Sequence, residues 1–251
     1  MGHPDPIAFN IFGVDIRWYG ILIAFGMLLA VYISCKRAHT HGITEDDVLD
    51  LAVWMLPIAV IGARIYYVIF NHSLYHSFAD VINIRNGGLA IHGGLIFGIL
   101  VVIAVCKRRN INPLNMLDLI APSVALAQAI GRWGNYFNGE AHGGPTDLPW
   151  AILVDGQLVH PTFLYESIWC LILFFALSWF DKKKRTAMGQ TLSLYLIFYS
   201  VERFLVEDLR TDSLMIGPFK QAQVISICAI IFSIFLYRFS SERFPLKAGK
   251  K

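Results

Sequence analysis

The sequence predicts an all-α integral membrane protein with seven transmembrane helices. Three observations predict this class: an apolar composition, seven apolar stretches of bilayer-spanning length, and Lys and Arg residues concentrated on one side of those stretches. Hydrophobic residues make up 56% of the 251 residues and charged residues only 16%, whereas a soluble domain carries about 25% charged residues. The mean hydropathy is +0.55. The 18 Phe, 10 Tyr and 6 Trp exclude an intrinsically disordered chain.

The apolar stretches are the predicted helices, because a spanning helix needs about 20 mostly apolar residues. In chain order they are Trp18–Cys35, Leu51–Phe70, Gly87–Cys106, Leu117–Tyr136, Thr162–Phe180, Gly189–Val206 and Ala222–Tyr237. The first and third contain no Asp, Glu, Lys or Arg. The fourth is the most interrupted, by Asp118, Pro122, Gln128, Arg132 and Asn135. We expect a single membrane domain over residues 1–251, with residues 137–161 as a small extracytoplasmic cap between helices four and five.

The distribution of Lys and Arg predicts the orientation. Fourteen of the 21 follow the odd-numbered stretches: Lys36, Arg37, Lys107, Arg108, Arg109, Lys182, Lys183, Lys184, Arg185, Arg238, Arg243, Lys247, Lys250 and Lys251. The segments on the other side contain only Arg17, Arg85, Arg210 and Lys220. Because Lys and Arg accumulate on the cytoplasmic side, we expect the N-terminus outside (periplasmic) and the C-terminus in the cytoplasm.

Three arginines lie inside the apolar stretches: Arg64, Arg132 and Arg203. An arginine at this depth costs at least about 2.5–3.5 kcal/mol and is a functional candidate by default. Each lies about 20 Å along its stretch, within a hydrocarbon core of about 30 Å. The stretches that run the opposite way begin with further polar side chains: Tyr19, His92 and Glu166. We therefore expect these groups to gather in the outer half of the bilayer, although Arg64 could equally be a structural anchor.

Two of these arginines lie on polar helical faces. Gln128, Arg132 and Asn135 recur at i, i+4 and i+7, and Arg203, Glu207 and Arg210 repeat this spacing with Tyr199 one turn earlier. Glu202 points about 100° away from Arg203, so we expect it to have a different partner. Two guanidinium groups facing one cavity suit a phosphate, since they bind its oxygens bidentately. Glu207 could instead serve as a structural ion-pair partner.

His92 lies in the segment GGLAIHGG, where glycines permit close backbone approach to a ligand. Its glycine neighbours and its depth in the membrane indicate a catalytic role for His92. The other interpretation is a packing residue.

Other chemistries find no support in the sequence. Cys35, Cys106, Cys170 and Cys228 are widely separated, which favours core residues over zinc or redox sites. No carboxylate cluster predicts a metal site, and the net charge of +3 is too small to indicate nucleic-acid binding. The N-terminal residues lack the basic region and cleavage site of a removable signal peptide.

The segment GRWGNYFNGEAHGG (131–144) resembles the signature of the prolipoprotein diacylglyceryl transferase family, G-R-x-x-N-F/Y-x-N-x-E-x-x-G. The matching positions are Gly131, Arg132, Asn135, Tyr136, Asn138, Glu140 and Gly143. The resemblance continues through RWYG (17–20), HGG (92–94), HPTFLYE (160–166) and ERFLVEDLR (202–210). Two positions depart from the family pattern: Phe163 stands where Gln is usual, which excludes that side chain as a binding contact, and Asp208 replaces an apolar residue.

The resemblance implies a multi-pass enzyme of the bacterial plasma (inner) membrane whose active site faces the outer leaflet. It would transfer the diacylglyceryl group of phosphatidylglycerol to the lipobox cysteine of a prolipoprotein, forming a thioether and releasing glycerol phosphate, as the first step of lipoprotein maturation. No cofactor or metal is implied, and the nucleophile belongs to the substrate. The implied catalytic residues are His92, Arg132 and Arg203. Histidine is the side chain best suited to accept a proton near neutral pH, so we expect His92 to be the base that takes the proton of the lipobox thiol. His160 is the second candidate for this base, and Tyr19 or Glu140 could also accept the thiol proton. The implied substrate-binding residues are Tyr19, Asn135, Asn138, Glu140, Gly143, Glu166, Glu202, Glu207 and Arg210.

Two other functions compete with this interpretation. A transporter or channel for an anionic substrate could use intramembrane arginines, but the predicted polar groups gather on one side and no internal repeat is visible. Another phospholipid-headgroup enzyme is disfavoured, because the D-x-x-D-G-x-x-A-R and H-E-x-x-H motifs do not occur.

Overall fold

A computed structural model describes residues 4–75, 77–83 and 87–246 of the chain. The residues His3, His76, Arg85, Lys247, Lys250 and Lys251 lie outside these ranges. The described residues form eight α-helices: α1 (Trp18–Ala38), α2 (Glu45–Phe70), α3 (Phe78–Ile82), α4 (Ile91–Arg109), α5 (Pro113–Asn138), α6 (Thr162–Lys183), α7 (Gln190–Leu209) and α8 (Gln221–Arg243). They also form three antiparallel hairpins: β1 (Ile7–Ile11) with β2 (Val14–Arg17), β3 (Ile152–Val154) with β4 (Gln157–Val159), and β5 (Met215–Ile216) with β6 (Phe219–Lys220).

The chain divides into two compact units: a small unit of residues 34–116 and a large unit of residues 1–33 and 117–251. In the small unit α2 begins with a capping box, in which the Thr44 hydroxyl accepts from the Asp47 amide and the Asp47 carboxylate accepts from the Thr44 amide. Helices α2 and α4 pack closely at Gly93, where a Cβ would lie 2.3 Å from the Gly62 carbonyl oxygen. The start of α4 is therefore fixed by its contact with α2.

In the large unit, buried polar contacts connect the helices. The Asp118 carboxylate in α5 accepts from the amides of Gly189 (2.6 Å) and Leu192 (2.8 Å), so it satisfies the N-terminus of α7. Ala125, Leu173 and Leu177 form an apolar core cluster between helices. This arrangement holds α5 and α7, which carry Arg132 and Arg203, against α6, which carries Glu166.

Six helices of the described residues are long and apolar enough to cross a membrane: α1, α2, α4, α5, α6 and α8. The protein is thus a mostly helical, multi-pass membrane protein. The predicted sixth span corresponds to α7, which has 20 residues but contains Glu202, Arg203, Glu207 and Asp208 in its second half. The count of seven spans and the orientation of the termini stay predictions.

The ends of the helices differ from the predicted ends by up to six residues. Several helices extend past the apolar stretch because polar residues such as Lys36, Arg37 and Asp47 continue the helical backbone. In contrast, α4 begins four residues later than predicted, because Gly87 and Gly88 have φ angles of +83° and +82°. Arg210 is also outside the predicted helical face: α7 ends at Leu209, and Arg210 has an extended backbone.

Residues 137–161, the predicted cap, form an ordered segment built on the β3–β4 hairpin. Its turn is Asp155–Gly156, with φ angles of +48° and +81°, as an Asp-Gly hairpin turn requires. The segment is tied to the end of α7, because the Gly144 amide donates to the Leu209 carbonyl at 2.9 Å. The loop that carries Glu140 and Gly143 is therefore held next to Arg210.

Candidate active site

The buried carboxylate of Glu166 lies at the centre of three arginines in the large unit. Glu166 is 1% exposed, and its Oε2 lies 2.5 Å from Arg132 Nε. Its Oε1 lies 3.6 Å from Arg203 Nη1 and 3.7 Å from Arg210 Nη1. We call Arg132, Arg203, Arg210 and Glu166 the arginine cluster. The N-terminal part of α6 and the C-terminal ends of α5 and α7 meet in it.

Each arginine of the cluster has a second partner. Arg203 Nη2 lies 2.6 Å from Glu207 Oε2, one helical turn along α7. Arg132 Nη2 donates to the Tyr199 hydroxyl at 3.2 Å. These contacts fix two guanidinium planes while the side chains of Arg132 and Arg203 stay 21% and 22% exposed. Both groups are thus oriented yet open to a ligand.

Arg210 is held by a bidentate ion pair with Asp212, at 2.9 Å and 2.6 Å. Burial raises the pKa of the Asp212 carboxyl, but the hydrogen bond and the charge of Arg210 outweigh burial, so the pKa lies below its usual value. Sequence reasoning did not single out Asp212. Its position two residues after Arg210, past the end of a helix, was the available signal.

Several buried polar atoms at the cluster have no hydrogen-bond partner among the described residues: Glu166 Oε2 and Glu207 Oε2, which are held by ion pairs, Arg203 Nη1, and both carboxylate oxygens of Glu202. Within the described part of the chain, the buried Nη1 of Arg203 has no hydrogen-bond partner, since Glu166 is too distant at 3.6 Å. Both carboxylate oxygens of Glu202, which is 3% exposed, likewise lack a hydrogen-bond partner among the described residues. Buried polar atoms are normally hydrogen-bonded, and exceptions call for an explanation such as a catalytic role or an absent ligand.

The remaining signature residues form a separate polar group at the end of α5 and in the loop that follows it. Asn135 Nδ2 and Asn138 Nδ2 both donate to Glu140 Oε1, at 3.1 Å and 3.0 Å. Gly143 allows close backbone approach, because a Cβ there would lie 2.6 Å from His160 Cβ. Glu140 therefore organises two amides of its own motif, and Gly143 fits the loop against the residues that precede α6.

Tyr19 lies at the start of α1 and packs on α5. A Cβ on Gly134 would lie 2.4 Å from Tyr19 Cδ2, so the glycine between the polar positions of α5 makes room for this ring. Tyr19 and Asn138 also line an open groove with Ile16 and Arg17. This groove lies within the large unit and has mostly apolar walls.

The predicted base, His92, belongs to the small unit. It lies exposed in the first turn of α4, with its ring centroid 5.9 Å from that of Tyr66. His160, the second candidate, lies in the large unit, where its Nδ1 is 3.3 Å from the Tyr165 hydroxyl. The choice of base among these residues stays a prediction.

The two departures from the family pattern have clear environments. Phe163 is buried and stacks on Tyr136 with ring centroids 4.9 Å apart, and its ring meets that of Trp133 edge-on at 5.3 Å. It therefore acts as a packing residue. Asp208 is largely exposed and accepts from Gln223 Nε2 at 2.8 Å, so it connects α7 to α8 at the surface.

Comparisons with known proteins agree with the motif. A model of the prolipoprotein diacylglyceryl transferase family matches residues 6–239. A phosphatidylglycerol–prolipoprotein diacylglyceryl transferase of Clostridioides difficile (strain 630) is 53% identical over 240 residues, which are 95% of this chain and 96% of that protein. A relative of the same name from Finegoldia magna is 49% identical over 233 residues, covering 92% and 94% of the two chains. Another from Staphylococcus aureus (strain JH9) is 44% identical over 246 residues, covering 92% and 88%.

Proposed function

The chain belongs to the prolipoprotein diacylglyceryl transferase family, and we propose that its arginine cluster binds the phosphate of phosphatidylglycerol during the transfer. It is a transferase that moves the diacylglyceryl group from phosphatidylglycerol to a prolipoprotein. The family match and the names of the relatives do not support a transporter or channel. The acceptor in this proposal is the thiol of the lipobox cysteine in the prolipoprotein signal peptide.

The observation that carries the proposal is the buried Nη1 of Arg203, which has an ion-pair contact with Glu166 but no hydrogen-bond partner among the described residues, beside a second, partly exposed guanidinium group. A buried N–H without an acceptor costs about 1–3 kcal/mol, and an anionic oxygen would remove that cost. Phosphate provides such oxygens in a geometry that matches the planar guanidinium. A phosphodiester placed between Arg132 and Arg203 is therefore the ligand that fits this cluster best.

The reaction forms a carbon–sulfur bond and breaks a carbon–oxygen bond. The cysteine sulfur attacks the glycerol carbon, the phosphate ester oxygen keeps the electron pair of the broken bond, and the thiol proton passes to a base. Negative charge develops on the leaving glycerol phosphate, and Arg132 and Arg203 stabilise it electrostatically. Glu166 and Glu207 hold the two guanidinium groups in place, which is the role that their ion pairs support.

The thiol needs a base, because an ordinary cysteine with a pKa of about 8.5 is mostly protonated at neutral pH. We assign this role to His92, with His160 as the second candidate and Tyr19 or Glu140 as the remaining ones. Tyr19, Asn135, Asn138, Glu140, Gly143, Glu202 and Arg210 complete the substrate-binding set in this proposal.

The proposed setting is the bacterial plasma membrane, with seven spans and the site facing the outer leaflet. The side preference of Lys and Arg supports this orientation. A C-terminal tag should be protected from protease in intact spheroplasts. Cleavage of the tag from the outside would reverse the topology.

The phosphate assignment is tested by transfer assays with purified full-length protein, phosphatidylglycerol and a lipobox peptide. Arg132→Lys keeps the charge but loses the bidentate geometry, so it should retain little activity. Arg203→Ala should lower both turnover and lipid affinity. Arg243→Lys, at an exposed position of α8, is the matched control and should behave as wild type. Wild-type transfer by Arg132→Lys would refute the assignment.

The base assignment is tested by the pH–rate profile of His92→Gln at saturating lipid. A base role demands a large loss of turnover together with loss of the acidic limb near the histidine pKa. The same profile measured for His160→Gln separates the two histidines. If a variant keeps its turnover rate and the acidic limb of its pH–rate profile, the substituted histidine is a packing residue and not the base.

A further inference from the structure

We propose that Arg64 is a positioning residue: its guanidinium group fixes the segment that leads into α4 and thereby sets the place of His92 for the transfer. The inference rests on the proposed role of His92. It concerns only the small unit, where α2 and α4 pack directly on each other. It separates Arg64 from the other two intramembrane arginines, which belong to the phosphate site.

All five N–H donors of Arg64 are used on main-chain carbonyls. Arg64 is 7% exposed, and its guanidinium presents five donors in a fixed plane. The acceptors are the carbonyl oxygens of Val81 (2.7 Å, from Nε), Gly87 and Gly88 (both 2.8 Å, from Nη1), and Asp80 (2.8 Å) and Asn83 (2.9 Å, both from Nη2). The guanidinium also lies 4.9 Å from the centroid of the Tyr75 ring. No donor remains for a phosphate oxygen, so Arg64 organises backbone and not lipid.

This arrangement places the backbone of residues 87–88 against the guanidinium. Gly88 has a φ of +82°, and a Cβ there would lie 2.4 Å from Arg64 Nη1, so the close approach depends on glycine. The carbonyls in turn give the buried cation the acceptors without which its burial would be costly. The loop and the arginine therefore stabilise each other.

The same stretch of α2 also holds the first turn of α4. The Ala90 amide donates to the Ala63 carbonyl at 3.0 Å, next to Arg64 in sequence. A Cβ on Gly93 would lie 2.4 Å from Tyr66 Cβ, and the Tyr66 ring lies beside His92. A short run of α2 thus fixes both ends of the segment from Gly87 to Gly93. In this proposal, these contacts between α2 and the segment determine the position of His92.

Arg64→Lys is the decisive variant, because an ammonium has three donors on a flexible stem and cannot reproduce a planar five-donor contact. We expect kcat to fall about 10- to 100-fold, the scale of a misplacement of about 1 Å in a catalytic group. The KM for phosphatidylglycerol should stay within about twofold of wild type, since the proposal leaves lipid binding to the arginine cluster. Arg108→Lys, at an exposed position of α4, is the matched control and should retain wild-type values.

Hydrogen exchange provides a readout that does not depend on activity. In full-length protein the Ala90 amide should exchange about tenfold faster in Arg64→Lys than in wild type, because its bond to Ala63 becomes less protected. Amides in the middle of α6 should keep their rates. Millimolar guanidinium should partly restore the kcat of Arg64→Ala, and methylammonium should not, since only guanidinium matches the carbonyl set.

A double variant tests whether Arg64 acts through His92. In a His92→Gln background, Arg64→Lys should cause little further loss of kcat, because both changes remove the same function. An equal fractional loss in both backgrounds, a raised KM with unchanged kcat, or unchanged Ala90 exchange would each overturn the proposal. A fully active His92→Gln would refute the base assignment itself, and it is distinguishable because it needs no change at Arg64.

Discussion

Glu166→Gln should both destabilise the protein and make it respond more strongly to phosphate. The substitution keeps the shape of the side chain but removes the negative charge that three guanidinium groups share. Arg203 and Arg210 keep Glu207 and Asp212 as partners. Arg132 keeps the Tyr199 hydroxyl as its hydrogen-bond partner, so its positive charge should be the least compensated of the three.

The expected loss of stability in Glu166→Gln follows from the burial of this carboxylate and of its arginine partners. Removing one partner of a buried ion pair costs about 3–5 kcal/mol. Glu166 itself is 1% exposed, but the arginine side chains are 12–22% exposed and two of them keep carboxylate partners, so we expect the lower end of that range. For a chain of this length, about 3 kcal/mol corresponds to a fall in Tm of roughly 6–12 °C.

The assay is thermal unfolding of the full-length protein in detergent, with and without inorganic phosphate. Phosphate should raise the Tm of Glu166→Gln more than that of wild type, because an anion can replace the missing carboxylate. Glu207→Gln is the matched control. It affects only Arg203, which still faces Glu166, so its fall in Tm should be about half that of Glu166→Gln.

Two results would refute this reasoning. If Glu166→Gln unfolds at the wild-type temperature, the carboxylate does not hold the three arginines together. If phosphate stabilises both proteins equally, the guanidinium groups freed by the substitution do not form an anion site.

Three further outcomes follow from the packing and the charges of the large unit. Gly143→Ala should lower stability by about 1–3 kcal/mol, because its Cβ would lie 2.6 Å from a neighbouring Cβ; Gly144→Ala, whose Cβ would have its nearest contact at 3.9 Å, should unfold as wild type in the same melting experiment. Asp118→Asn should cost about 2 kcal/mol by weakening the capping of α7, and unchanged chemical denaturation would contradict this. Because Arg210 lowers the pKa of Asp212, this pair stabilises the fold above the ordinary carboxyl pKa of about 4 and the contribution is lost as the pH falls through the lowered value. Asp212→Asn should remove that part of the acid dependence, as measured by Tm against pH.

The helices themselves were predictable, because bilayer-spanning length and apolar composition leave few alternatives. The apolar pattern could not give their ends, since these depend on local backbone chemistry. The Thr44–Asp47 capping box starts α2 six residues before the apolar stretch. The positive φ angles at Gly87 and Gly88 delay α4. Both features could have been found from residue types that favour helix caps and left-handed backbone.

The site was predictable along each helix but not between helices. The i, i+4 spacing correctly placed Glu207 beside Arg203, at 2.6 Å. Periodicity gives no rotation of one helix against another, so the central position of Glu166 among three arginines was not foreseen. The position of Glu166 near the start of its apolar stretch predicted only that it lies at the same membrane depth as the arginines. The i+7 argument for Arg210 was wrong in detail, because α7 ends one residue earlier, although Arg210 still faces Glu166.

The comparison of Arg64 with Arg203 shows why intramembrane position alone does not identify a binding residue. Both arginines lie at similar depth along an apolar stretch, so the cost of burying their charge is the same from sequence. They differ in how many donors the fold already uses. Arg64 has five carbonyl acceptors, whereas Arg203 keeps a buried Nη1 without a hydrogen-bond partner among the described residues. A phosphate gains hydrogen bonds from donors that the protein has left unsatisfied, so on this criterion we assign Arg64 a structural role and Arg203 a place in the proposed phosphate site.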